Sequence, residues 1–408
     1  MARTAGEHGI RRRPKDRKAQ IARASAEAFS ELGYHGVSME SIASRVGISA
    51  AALYRHYSSK YELFRGAVLN LGQQLVDCTA EIDVDGAQPQ QVLDGLVSAL
   101  IDTAMANRAA GGLYRWEARY LHGDDQALLI DQLRTVHHRI QRPLAALRPG
   151  LTPRQLTTLS TAALSVIGSI VDHRAKLPAA QVQVLLAQLV DKVLATDLPD
   201  AGAQHEPDVA TRRVDPAKYE ALLTESMRLF NLNGYRDTSM DDIASAVGIP
   251  TSGIYKYFSG KSDILAAAFR RAADRLSADL ATIAATVSDP EDALTAVTDA
   301  YVTRSFGRPE LDYVYYNERL NMTAADQRIL HDMQRSTVQT WVELVVAVRP
   351  EWTQGQARFA VHAAMSLVID IGRLVRYSNS TEVRATVERL VDMTLLGRYR
   401  LRTTLPTM

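Results

Sequence analysis

Cysteine is nearly missing: Cys78 is the single one in 408 residues, so no intrachain disulfide can form and a disulfide scaffold is excluded. Long hydrophobic runs are missing too. No stretch approaches the roughly 20 apolar residues that span a bilayer, and the basic N-terminus has no hydrophobic segment behind it to make a secretion signal. The sequence therefore predicts a cytoplasmic protein with no membrane partner. Neither charge sign dominates, since the net charge is only +1, and taken alone that argues against a nucleic-acid binder. Strand-like alternation is absent from residues 89–196. What remains is ordinary globular composition, 46% hydrophobic and 23% charged, in a chain too long for one core.

The near-zero sum hides an uneven distribution. Residues 1–65 carry 12 Lys/Arg against 6 Asp/Glu, whereas residues 205–271 carry 9 of each. Positive potential is thus concentrated near the N-terminus, where Arg11, Arg12 and Arg13 precede Pro14 in a basic arm over 1–14. A solvated tail and a DNA-reaching arm fit that arm equally well.

Helical periods fill the rest. From Asp16 to Leu32 the apolar positions recur at helical spacing and Gly33 follows as a stop. Ser38 then caps a short helix whose stripe is Ile42, Ala43 and Val46, Gly47 permits a turn with φ > 0, and a second short helix follows over 49–57. This is a helix-turn-helix. Ser58 is the expected cap of a long helix that continues to about Glu81. Further helices are predicted over 90–108, 112–122, 125–147, 153–176 and 178–195, with Pro143 expected to kink or divide one of them. Residues 157–170 are rich in small side chains that let another helix approach closely. Residues 197–215, with Pro199 and Pro207, form a polar linker.

Beyond the linker the pattern restarts. Under an ungapped shift of 201 residues, Gly33 meets Gly234, Tyr34 meets Tyr235, Gly47 meets Gly248 and Lys60 meets Lys261; from Phe29 to Phe64 there are 14 identities in 36 positions. Downstream, Glu117 meets Glu318, and Ala162 and Ala163 meet Ala363 and Ala364. The whole unit is duplicated.

The helix ending Leu32-Gly33-Tyr34, followed by Gly47-Ile48-Ser49, Leu53-Tyr54-Arg55-His56-Tyr57 and Lys60, resembles the DNA-binding domain of TetR-family transcriptional regulators. The basic start from Arg11 to Lys18, with Glu117-Ala118-Arg119-Tyr120-Leu121, is also similar to the two-repeat regulators of mammalian-cell-entry (mce) lipid-uptake operons in mycobacteria. The resemblance implies an all-α fold of two tandem units. Each has a three-helix DNA-binding domain (15–65 and 216–266) and a helical ligand-binding and pairing domain (66–196 and 267–402). It also implies double-stranded DNA and a small apolar effector as partners, with no cofactor.

The second helix of each motif is expected in the major groove. In the first copy Ala50 and Ala51 can meet thymine methyls, while Ser49, Arg55 and Arg45 offer polar contacts. In the second copy Thr251, Ser252 and Lys256 take these places, and Gly253 admits a close backbone approach. The family resemblance makes Tyr54, His56 and Lys60, with Tyr255, Tyr257 and Lys261, phosphate-holding residues. Tyr54 and Tyr255 serve equally well as core anchors, and Tyr57 and Phe258 better so. Arg12 and Arg13 complete the expected DNA contacts. Glu117 and Glu318 recur in aromatic surroundings (Tyr114, Trp116 and Tyr120; Tyr315 and Tyr316). They can line a ligand cavity in each half, although a surface pairing of Glu117 with Arg115 or Arg119 is slightly favoured. His137 and His138 lack a third ligand at metal spacing.

Three functions compete. A ligand-responsive repressor fits the motifs, and the mce resemblance points to genes of lipid uptake or metabolism as its targets. A helical hydrolase fails for want of a nucleophile elbow, metal spacing or phosphate-cradling loop. A ligand-independent architectural DNA-binding protein stays open. Because both copies share one chain, an intramolecular pseudo-dimer is expected, with helices 153–176 and 354–377 facing each other beside 178–195 and 381–396, and at most a weak further dimer.

Overall fold

The computed structural model describes residues 14–80, 82, 87–199 and 218–399, and the regular elements among them are all helical. In the first half these are α1 (Pro14–Gly36), α2 (Met39–Val46), α3 (Ala50–Tyr54), α4 (Lys60–Ala80), α5 (Pro89–Ala106), α6 (Gly112–Trp116), α7 (Asp124–Leu147), α8 (Pro153–Gly168) and α9 (Ala179–Leu194). The second half repeats them as α10 (Lys218–Asn233), α11 (Met240–Val247), α12 (Thr251–Ile254), α13 (Lys261–Thr286), α14 (Pro290–Gly307), α15 (Pro309–Glu318), α16 (Ala324–Val348), α17 (Gln354–Leu374) and α18 (Thr381–Leu396). Short 3-10 turns follow α6, α8 and α15. None of the described helices is long and apolar enough to cross a membrane. The arm with Arg12 and Arg13, and linker positions 200–215, lie outside the described residues.

Local chemistry explains the boundaries. Ser38 and Ser41 cap α2 reciprocally, each backbone N–H donating to the other's hydroxyl at 3.1 Å, and Ser239 with Asp242 does the same for α11; this is the capping box. Gly47 and Gly248 end these helices at φ 70°, in the left-handed region where only glycine is unstrained. Gly33 breaks α1 with φ 70° and ψ 165°. Three expectations shift. The cap of α4 is Ser59, which accepts from Glu62 N–H at 3.2 Å, because Ser58 bonds the Glu62 carboxylate instead. Pro143 lies inside α7 without dividing it. Helix α8 stops at Gly168, where Ser169 turns its hydroxyl onto the Val166 carbonyl at 2.7 Å, while its counterpart α17 runs on to Leu374.

The chain packs as two compact units. The first draws on residues up to Asp77 and on Asn107–Thr135. Its core joins Phe29, Ile42, Leu53 and Phe64 of the helix-turn-helix to Leu113, Leu121 and Leu129, with Phe29 and Phe64 edge to face at 5.2 Å. Segment 66–196 is therefore shared between units, since α6 and the start of α7 bury their apolar side chains against the first head.

The second unit holds the described residues of Cys78–Ala106 and those from Val136 on. Its own head is built on Phe230, Ile243, Ile254, Leu265 and Phe269. In the same unit α8 packs against α17, with α9 and α18 beside them. Ala162, Ala163, Ala363 and Ala364 are fully buried there, and the Ser165 hydroxyl donates to that of Ser366 at 3.4 Å. Those two serines stand 201 positions apart, so equivalent residues meet, as they do on the axis of an isologous dimer. His173 stacks on His362 at 4.2 Å at this junction.

Candidate nucleic-acid interface

In the first head the αL turn at Gly47 delivers Ser49, whose hydroxyl accepts the Ala52 N–H at 3.1 Å and starts α3. One turn of helix then buries Leu53 and leaves Ala51, Tyr54, Arg55 and His56 exposed, with Ala50 half-buried. In the second head Ile254 is buried, and Ser252, Tyr255, Lys256 and Tyr257 are exposed. Tyr54 is 50% and Tyr255 57% exposed. The core-anchor reading of these two tyrosines is thus removed, because Tyr57 and Phe258 fill that role against the head cores.

Some of the expected polar contacts are engaged internally. The Thr251 hydroxyl donates to Asp241. Arg45 pairs with Glu31 at 2.7 Å. A methyl added at Gly253 would rest on Ile249 and Pro250 at 3.6 and 3.8 Å, an ordinary contact, so the fold itself does not demand glycine there.

The lysines are placed differently from a free phosphate clamp. Lys261 donates to the carbonyls of Tyr235, Arg236 and Thr238 at 2.7, 3.1 and 2.7 Å. An ammonium has three protons, and all three are taken. Partial burial lowers the Lys261 pKa accordingly. Lys60 likewise donates to the Tyr34 carbonyl at 3.0 Å and sits 4.5 Å from the centre of the Tyr34 ring.

Sequence reasoning missed what the N–H of that tyrosine does. The buried Glu117 carboxylate, 7% exposed, accepts the Tyr34 N–H at 2.9 Å. Glu318, 3% exposed, accepts the Tyr235 N–H at 3.4 Å and the Asn321 amide at 2.8 Å. In both halves the backbone of one tyrosine near the end of the first head helix is clamped, its N–H by a glutamate and its C=O by a lysine. The signal was in the sequence: Tyr, Lys and Glu recur together at the 201-residue shift. For Glu117 the favoured surface position gives way to a buried one, among aromatic neighbours. Tyr120 stacks on Tyr34 at 5.1 Å, Tyr114 packs on the first core, and Arg115 lies over Trp116. Tyr315 meets Phe269 edge to face at 5.3 Å and Tyr316 at 5.5 Å.

A model of the bacterial regulatory proteins of the tetR family matches residues 21–67 and again 222–268, the two heads just described. The chain thus carries two heads that match the DNA-binding domain of the tetR family. FasR, a helix-turn-helix transcriptional activator of Mycolicibacterium smegmatis, is 35% identical over 92 residues, covering 22% of this chain and 42% of FasR. IcaR, the negative transcriptional regulator of the biofilm operon of Staphylococcus epidermidis, is 41% identical over 49 residues, covering 12% of this chain and 26% of IcaR. The chain thus spans less than half the length of either relative. A solved tetR-family structure from Rhodococcus RHA1 superposes with a TM-score of 0.40 at 21% identity, over 44% of this chain and 95% of that one.

Proposed function

We propose that this tandem TetR chain is a transcriptional regulator that binds an operator of two unlike half-sites, one for each head. The observation that carries the reading is the contrast between scaffold and surface. Capping box, αL glycine, buried Leu53 or Ile254 and a tyrosine whose backbone N–H and C=O are held by Glu and Lys are shared by both heads. The exposed residues of α3 and α12 and of the turns that follow them differ: Ala51, Arg55 and His56 in one, Ser252, Lys256 and Tyr257 in the other. A homodimer presents identical heads and reads a palindrome; a fused chain is free of that constraint. Phosphate contacts fall to Tyr54, His56, Tyr255 and Tyr257. The positive surplus of residues 1–65 assigns most of the salt-sensitive affinity to the first head.

In this proposal the protein is a repressor released by a small apolar effector of lipid or steroid character. The support is mechanical: Glu117 at the end of α6 and Glu318 at the end of α15 hold the peptide that closes each head's first helix, so a ligand that shifts α6 or α15 shifts the head. Genes of lipid uptake or metabolism are the proposed targets, on the sequence resemblance to the mce regulators. Selection of bound sequences from random DNA tests the reading. Enrichment of two unlike half-sites supports it, and an enriched palindrome refutes it.

A further inference from the structure

A cleft of about 70 Å³ opens in the second unit between α10, α13, α14 and α15. Set against the 10–15 Å³ that one water occupies, it has room for roughly five water-sized groups. Its floor is apolar, with Leu223, Met227 and Leu311, and its rim is cationic, with Arg271, Arg275, Arg304 and Arg308 against the single acid Glu220.

The ion pairs around the rim leave it under-neutralised. Glu220 is shared by Arg271 at 2.9 Å and Arg275 at 2.7 Å. Arg304 pairs with Asp312 at 3.2 Å, and Arg308 with Glu310 at 2.6 Å. Four guanidinium groups therefore face three carboxylates, and one positive charge remains. Hydrogen-bonding capacity also remains. Each guanidinium has five N–H donors, and the Nε of Arg304 is buried with no partner at all. Leaving such a donor unsatisfied is unfavourable unless something else fills the place.

The duplication supplies an internal control. At the four positions 201 residues earlier the first half has Asn70, Gln74, Thr103 and Asn107, and there Asn107 simply donates to Gln74 at 2.8 Å. A neutral amide pair satisfies itself; the arginine rim was introduced, or kept, in one half only.

We propose that this cleft is a binding site for a small organic monocarboxylate. The carboxylate closes the residual positive charge through the guanidinium forks, whose geometry matches it, and a short alkyl tail lies on Leu223, Met227 and Leu311. A monoanion balances the rim, whereas a phosphate dianion overcompensates it. Because Glu220 and Leu223 belong to the head helix α10, while Arg304 and Arg308 sit on and just after α14, the occupant ties the second head to the helices behind it. The site is separate from the DNA-reading surface and is measured without DNA, so it stands or falls independently of operator recognition.

The test is calorimetric titration of the full-length chain with butyrate, with its neutral isostere butyramide, and with inorganic phosphate. Two variants place the first half's residues at the rim: Arg271→Asn/Arg275→Gln, which alters side chains that are 48% and 51% exposed, and Arg308→Asn. Circular dichroism melts establish that each is folded. Saturable binding of butyrate to the wild type, no response to butyramide, and a loss of about tenfold or more in the variants, as expected for removing a charge-assisted contact, is the supporting result. Equal responses to butyrate and butyramide overturn the proposal. So does wild-type affinity in a folded variant, or binding of phosphate in place of butyrate.

Discussion

Replacing Glu117 by alanine removes the acceptor for the Tyr34 N–H, a 2.9 Å bond from a backbone amide to a buried carboxylate. A hydrogen bond to a charged group contributes about 1.5–3 kcal/mol. At 1.36 kcal/mol per decade, local opening at Tyr34 should become about 10- to 150-fold more frequent. Hydrogen exchange read by mass spectrometry on peptides covering residues 30–37 measures this directly, because exchange of a protected amide reports the free energy of local opening. Glu318→Ala gives the internal comparison. Its bond to Tyr235 N–H is longer, 3.4 Å, and its other oxygen is held by Asn321, so acceleration at Tyr235 should stay below about tenfold. Glu117→Gln keeps an acceptor of the same size and should restore most of the protection, which separates the bond from the void that alanine leaves. Unchanged exchange at Tyr34 in Glu117→Ala, or an equal effect of Glu117→Gln and Glu117→Ala, would refute the clamp.

Arg55→Ala should weaken operator binding by about 1–3 kcal/mol at one base position, whereas Lys261→Ala should lower the melting temperature and leave the salt slope of DNA binding unchanged, since its three protons serve carbonyls; a salt slope reduced by about 1 in Lys261→Ala would restore it as a phosphate contact. Burial, with Glu388 and Glu291 adding, pushes the Asp392 carboxyl from 3.8 up to about 8. A raised folded-state pKa means that its contribution is complete below about pH 4 and is lost as pH climbs to about 8, so Asp392→Asn should gain melting temperature over wild type across that window, and a gap equal at pH 5 and pH 8 would show the reasoning wrong. Light scattering at nanomolar to micromolar concentration should give one chain mass, with an obligate dimer as the contrary result.

Much of the architecture was legible in the chain. Helix periods, the Ser38 and Ser239 caps, the glycine at each αL turn and the 201-residue repeat are local signals, set by backbone sterics and by side chains a few residues apart. They located both heads and the small-residue helices that meet at Ser165 and Ser366. The divergence between α3 and α12 was equally visible, because it needs only the alignment of one half on the other.

Tertiary structure decided which of several roles a side chain takes. Lys60 and Lys261 carry the same charge whether they hold phosphate or a carbonyl; only the folded path of the Tyr34 and Tyr235 peptides brings those oxygens to 3.0 and 2.7 Å. Glu117 is 83 residues from Tyr34 in the chain, and no periodicity encodes that meeting. Tyr54 and Tyr57 are alike in sequence, yet Tyr54 ends α3 facing solvent while the turn that follows lays Tyr57 against the core. The arginine rim between α10 and α14 is assembled from positions 220 to 308. Local propensity fixes where helices begin and end, while charge pairing and burial depend on distances that exist only once the helices are packed.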